Sequence, residues 1–380
     1  MDFTKIGSRI REEREKRKWT QEALADEAGL KNRHAVSSIE KGERDARYSE
    51  LVNISAVLGI DLSDFAPSKE PQEAALTVLW RKEPIRLKAE LEAGFLQNIR
   101  SYDLLERALG VKQSPSSTLE IFNIDTETFN FKDAYDLAET TRTRLGLGNE
   151  PAKALAKVLE DQFDVRIFYT DLENNGSAAS HRTGHESAVL LNQSEPPWRR
   201  NYSLAHELFH LITWTPKVFE QLAHSQEFRE NLEKFAEAFA AGLLMPAEHL
   251  RREFDKYTHE GKISTASIVA LARQFDVSIS ALLYRLAFIG LLNQGSVKKL
   301  LSNKDIQREY HQDMHSRWNT PAEFPDRFVR LSFQACAQSK VSRTKVATLL
   351  KLPLVDLPEF FENNGFPEGA DEDEIEIATA

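Results

Sequence analysis

Apolar positions recur at helical spacing along most of this chain, and the interruptions mark its organisation. Ile6, Ile10, Leu24, Ala28, Val36, Ile39, Leu51, Ile54 and Leu58 predict a small all-helical unit over residues 4–65. The run APSKEPQEAA then breaks the periodicity with two prolines among charges, as a linker does. Helical spacing returns over 74–110 and 133–162, around a polar, Ser-rich stretch with room for one short strand. DVRIFYTDL (164–172) and ESAVLLNQ (186–193) are β-branched or alternating and predict strands on either side of a Gly- and Asn-rich hinge. From Trp198 the periodicity is helical nearly to the acidic end, EGADEDEIEIATA, which is expected to be disordered. The pattern therefore predicts a mainly α protein with a small β-sheet, of α+β class. Its expected divisions are 1–66, a linker at 67–75, 76–295, a helical accessory or sensor region at 296–365 and a tail at 366–380.

Composition narrows the function classes. With 380 residues, 41% hydrophobic and 28% charged, the chain can build two or three real cores. A net charge of -10 argues against a coat of nucleic acid but leaves room for a local DNA-binding face. The single cysteine, Cys336, excludes an internal disulfide and any Cys-pair zinc ribbon. The N-terminal run lacks the apolar core of a signal peptide, and charges interrupt every long apolar stretch. A cytoplasmic location without a membrane segment is the expectation.

The stretch RRNYSLAHELFHLITW (199–214) holds the densest candidate chemistry. On a helical wheel Tyr202, Leu204, Ala205, Leu208, Phe209, Leu211 and Ile212 form a broad apolar arc. Ser203, His206, Glu207 and His210 fill the narrow remainder. His206 and His210 lie one turn apart on one face, so both imidazoles can reach one metal ion, with Glu207 beside them. A catalytic zinc needs a third protein ligand and an open position. Pro216 occupies the place where an extended metzincin motif would carry histidine. In FRENLEKFAEAFAAGLLMP, Glu233 lies nearest the apolar arc, flanked on the wheel by Ala236 and Ala240, and is the expected third ligand. Glu237, one turn on, could hydrogen-bond a ligand imidazole. His224 and His249 compete without an equally clear amphipathic setting, and His181 and His185 read as ordinary loop residues. Zinc at such a site activates water towards a peptide carbonyl, with Glu207 as the proton acceptor, and the 186–193 strand is expected to add an extended substrate along its edge.

YSLAHELFH followed by EKFAEAFAAGLLMP resembles the ImmA/IrrE family of bacterial zinc metallopeptidases, which are gluzincin-like, over most of residues 130–292. By motif position the resemblance implies Zn2+ on His206, His210 and Glu233 and a general base at Glu207. Two departures stand out: Phe209 replaces the usual glycine before the second histidine, and Glu237 stands where Asn or Asp is usual. The first is expected to narrow the cleft.

WTQEALADEAGLKNRHAVSSIEKGER has helix-turn-helix spacing, with Thr20 at a helix start and Gly29 at the turn. Over residues 6–65 it resembles the XRE, or Cro and phage-repressor-like, family, although one extra residue separates Gly29 from Ile39. Asn32, Arg33, His34, Ser37 and Ser38 are the candidate base readers, and Gln21 and Lys31 the candidate phosphate contacts. Two later stretches, around 266–292 and 342–361, have similar spacing, but the first is apolar on nearly every face and reads as packing. Together these features predict a DNA-binding regulator with zinc endopeptidase activity that cuts a repressor or antitoxin-type protein, or itself. Its partners would be a double-stranded operator and that protein, with a homodimer left open. The competing expectation is a repressor or antitoxin whose peptidase-like fold binds a partner without turnover.

Overall fold

The computed structural model describes residues 3–17, 19–58, 78–81, 88–111, 118–125, 127–172, 176–184, 186–306, 308, 310 and 318–366. The linker at 67–75, His185 and the tail beyond Phe366 lie outside them. The chain divides into two compact units, Met1–Ala75 and Leu76–Ala380.

The first unit is helical: α1 (Phe3–Lys16), α2 (Gln21–Glu27), α3 (Arg33–Glu40) and α4 (Tyr48–Leu58). Thr20 and Asn32 start α2 and α3 by accepting the amides of Ala23 and Ala35, which no intrahelical carbonyl can satisfy. Gly29, at φ +65, makes the left-handed turn between them. Ile10, Leu24, Val36 and Ile54 are fully buried at the centre. Arg14 of α1 holds Glu40 of α3 in a two-point ion pair (2.6 and 3.0 Å) and also donates to the Trp19 carbonyl. α1 and α3 meet so closely at Gly7 that a Cβ there would lie 2.1 Å from the Ile39 carbonyl oxygen.

The second unit is built on a four-stranded sheet in the order β1-β3-β4-β2, where β1 is Val78–Trp80, β2 Val165–Thr170, β3 Ala178–Thr183 and β4 Glu186–Asn192. β2 and β4 are parallel; the other pairings are antiparallel. The period-two alternation of each strand serves two cores. Ile167, Ala178, Val189 and Leu191 face α6 (Phe131–Arg144), α7 (Leu155–Phe163), α8 (Pro197–Ile212) and α10 (Gln226–Leu244). Trp80, Phe168, Ala179 and Leu190 face α5 (Lys88–Leu109), α15 (Asp326–Ala337), α16 (Arg343–Leu349) and α17 (Leu357–Asn363). On that second face Arg166, only 1% exposed, is neutralised by Asp103 and Glu106 of α5 at 2.5 and 2.9 Å. The remaining helices are α9 (Pro216–His224), α11 (Ala247–Tyr257), α12 (Thr265–Gln274), α13 (Ile279–Phe288) and α14 (Gln294–Leu301). α12 and α13 join the first core, as their all-round apolar faces imply. Among the described residues no single helix is long and apolar enough to cross a membrane.

The protein is thus mainly α with a small sheet, but two local expectations fail. The stretch 74–110 is not helical throughout, because Val78–Trp80 alternates between the two cores as a strand before α5 begins. The hinge contains β3, whose Ala178, Ala179 and Ser180 lack the β-branching that announces a strand. The small Ala178 and Ser180, on the first face, leave room for α8 on the sheet. Two consequences follow. His181 is a strand residue, 2% exposed, rather than a loop histidine. β4 is flanked by β3 and β2, so it has no free edge for a substrate; the sheet ends at β1 and β2.

Gly7→Ala should loosen the α1–α3 contact by about 1–3 kcal/mol, the usual cost of forcing atoms into a filled interface. Hydrogen exchange of the α3 amides in the full chain should quicken about tenfold or more, and unchanged protection would refute the close approach.

Candidate metal centre

Helix α8 starts at Pro197, lies across the sheet and is buried along nearly its whole length, including Ser203, His206 (0% exposed), Glu207 (0%) and His210 (3%). Its neighbour α10, capped by Ser225, packs against it through Ala236 and Ala240 and carries Glu233 and Glu237 one turn apart. The two helices bring three donors together. His206 Nε2 lies 3.1 Å from the Glu233 carboxylate, His210 Nε2 3.3 Å from it, and the two Nε2 atoms 3.2 Å from each other. This is the group of ligand atoms suited to hold one metal ion.

The triangle fits zinc on geometric grounds. Tetrahedral ligands at about 2.0–2.1 Å are separated by edges of about 3.3–3.4 Å; the two Nε2 atoms lie 3.2 Å apart, and each lies 3.1–3.3 Å from one of the two Glu233 oxygens. Two imidazoles and a carboxylate are also a donor set that leaves a fourth position free. Electrostatics agree: burial opposes charge on Glu233, yet the two histidines overcome it and hold the carboxyl far below its usual range.

Glu237 supports this arrangement from behind. Its Oε1 lies 3.5 Å from His206 Nδ1 and accepts from Arg81 Nη2 at 2.7 Å. Arg81, immediately after β1, also donates to the Ser203 hydroxyl at 2.8 Å and lies over the Tyr202 ring. The Tyr202 hydroxyl donates to the Glu237 carbonyl. Burial opposes ionisation of Glu237, but His206 and Arg81 outweigh it and bring its carboxyl down to about 2. For His206, burial disfavours the charged ring, while Glu233 and Glu237 more than compensate and raise its pKa.

Glu207 differs from its neighbours. Among the described residues neither of its carboxylate oxygens has a hydrogen-bond partner, although both are buried. Burial pushes its pKa up against the pull of His210 and His206. A carboxylate in that setting is a stronger base than one in water.

Of the remaining expected site residues, His224 is exposed and bonds the Glu220 carbonyl, while His249 lies on Phe275 near Glu253; neither joins the cluster. Phe209 is fully buried between Phe129, Phe239 and the His210 ring, with centroids 5.5–6.2 Å away, so it props the second histidine from the core side and does not narrow a cleft. In the first unit Lys31, Asn32, Arg33 and His34 are exposed at the start of α3, and Ser37 and Ser38 half-exposed. Asn32 and Ser38 already bond the local backbone, and Gln21 donates to Glu40 at 2.8 Å. Sequence reasoning missed Arg81 and the strand β1 that places it.

Residues 160–287 match the IrrE N-terminal-like domain of the M78 peptidases, and residues 10–65 match a helix-turn-helix family. Two regions of the chain therefore match known domain families, one of helix-turn-helix type and one similar to the IrrE N-terminal domain. The matched region includes both helices that carry His206, His210 and Glu233 and most of the sheet. The radiation response metalloprotease IrrE of Deinococcus deserti is 31% identical over 103 residues, which are 26% of this chain and 35% of that protein. The chain therefore spans about a third of that relative's length. Among solved structures, a Mycobacterium tuberculosis transcriptional regulator covers 50% of this chain and 51% of its own, at 18% identity and a TM-score of 0.32. Bacillus thuringiensis PlcR, solved with the peptide PapR7 and DNA, covers 89% of this chain and 99% of its own, at 13% identity and a TM-score of 0.18.

Two outcomes are expected. Phe209→Ala should destabilise the IrrE-like unit by about 3–5 kcal/mol, measured by denaturant unfolding, because it empties a filled core site. Glu237 contributes stability above its usual pKa near 4.5, which is lost as pH falls towards about 2. Glu237→Gln should accordingly flatten the acid limb of the stability profile between those values, and an unaltered limb would show that its contacts are not formed in solution.

Proposed function

We propose that this protein is a cytoplasmic DNA-binding regulator whose IrrE-like domain is a zinc endopeptidase. The convergence of His206, His210 and Glu233 beside an unpartnered, buried Glu207 carries this reading. His206, His210 and Glu233 would hold the zinc, which when bound supplies Lewis acidity towards a carbonyl and lowers the pKa of water. Glu207, one residue from the first ligand and made more basic by burial, accepts a proton from the attacking water and passes it to the leaving amine. Glu237 and Arg81 keep the His206 ring oriented through Nδ1. Phe209 fixes the His210 ring from the other side.

In the first unit, residues 1–66, the exposed start of α3 would enter a major groove, with Asn32, Arg33, His34, Ser37 and Ser38 reading bases. Lys31 would meet phosphate, and Gln21 would do so only by leaving Glu40. Residues 76–295 form the proposed peptidase unit, to which 296–365 act as an accessory, since α15–α17 cover the second face of its sheet. The substrate class is a repressor or antitoxin-type protein bound at a neighbouring operator, or this chain's own segment near residues 66–75. A homodimer would match a two-fold operator.

Zinc-loaded protein incubated with candidate repressors, followed by mass spectrometry of both chains, tests turnover. Glu207→Gln should keep about one zinc per chain and lose cleavage; cleavage that persists would remove Glu207 from the mechanism. Zinc retention without cleavage under any trigger would instead make the domain a binding module. Arg33→Ala should weaken operator binding by about 1–3 kcal/mol if Arg33 reads a base, and unchanged affinity would exclude that role.

A further inference from the structure

A cavity of about 1110 Å³ lies beside the metal centre, walled by α6, α10 and α13, and Arg81, Tyr202 and Glu237 form one side of it. It contains an electrostatic mismatch. Arg285 of α13 lines the cavity yet is only 6% exposed. Its Nε donates to the Met245 carbonyl at 3.2 Å, and its guanidinium carbon lies 4.5 Å from the Tyr135 ring centre and 5.7 Å from that of Phe288. Among the described residues no carboxylate forms an ion pair with it; burial, the largest influence, lowers its pKa against the pull of Tyr135. The other two arginines of the cavity are neutralised, Arg81 by Glu237 at 2.7 Å and Arg199 by Glu195 at 3.0 Å. A buried cation without a counter-charge is costly, and cation–π contacts recover only part of that cost.

The surroundings are built for a planar apolar body. Phe131, Tyr284, Phe288 and Trp318 are 43–57% exposed, make up half of the exposed large hydrophobic side chains among the described residues, and all line this cavity. Such a concentration at a concave site marks a binding surface. Gly242 of α10 is required for it, because a Cβ there would lie 2.8 Å from the Tyr135 ring and push it off its place beside Arg285 and Phe288. The small Ala238, Ala241 and Ala281 leave the volume open.

We propose that this cavity binds an aromatic carboxylate, with the carboxylate on the Arg285 guanidinium and the ring among Tyr135, Tyr284 and Phe288. A monoanion is favoured over a phosphate because only one buried charge is left unmatched, and the planar guanidinium fork suits a carboxylate. The same chemistry belongs to a free aromatic acid and to the C-terminal aromatic residue of a peptide. Binding does not require turnover at the metal centre.

Isothermal titration of the full-length protein tests this with four probes: indole-3-acetate, its neutral isostere indole-3-acetamide, and Gly-Gly-Gly-Phe with a free or amidated C-terminus. At least one acid should bind tenfold or more tighter than its amide. Preference for indole-3-acetate assigns the site to a free acid, and preference for the free-ended peptide assigns it to a protein terminus. Arg285→Gln should abolish the acid-over-amide preference. Ala281→Phe, which leaves Arg285 intact and fills the cavity, should block binding without lowering the unfolding temperature. Equal binding of acid and amide, no binding of any probe, a preference that survives Arg285→Gln, or undiminished binding to Ala281→Phe would each overturn the proposal.

Discussion

The close seating of α8 between the sheet and α10 is the constraint on which the second unit depends. It removes His206, Glu207 and His210 from water together, and none of the three would tolerate that alone. The partners come from elements far apart in the chain: Glu233 and Glu237 from α10 and Arg81 from the end of β1. The small Ala178 and Ser180 on the β3 face turned to the first core, and the buried Ala236 and Ala240 on α10, permit the approach. Here, packing and electrostatics are one problem. Enlarging those residues would separate the charges, and removing the charges would leave the rest unpaired.

The same logic, with a smaller cast, holds the first unit together. Gly7 lets α1 touch α3, and the Arg14–Glu40 pair closes the contact with two hydrogen bonds. Glu40 also engages Gln21, so the side chain expected to meet phosphate is part of the network that fixes the buried C-terminal end of α3, whose other end is exposed. Scaffold and candidate reading surface are therefore continuous at this point.

Much of this was legible in the sequence wherever a periodic signal coincided with a chemical one. The polar strip of α8 stood out because its wheel is otherwise apolar, and Glu233 because alanines flank it. The helix-turn-helix was visible through Thr20, Gly29 and the spacing of its core residues. What escaped was encoded in residues without a strong preference of their own. β3 is made of Ala, Ser, His, Arg and Thr, and is a strand because two neighbours supply its ladder. Arg81 gave no sign of its role because its partners lie more than a hundred residues away. Phe209 looked like an anomaly inside the motif until the rings of Phe129 and Phe239 accounted for it.

β1 is three residues long and pairs on one side only. Short ladders at a sheet margin open and close far more often than the core behind them. Arg81 follows that strand directly, with its own amide bonded to the Ala178 carbonyl, so each opening would withdraw its guanidinium from Ser203 and Glu237 together. The orientation of an innermost, fully buried imidazole is thus tied to the lifetime of one of the most easily frayed pieces of the fold.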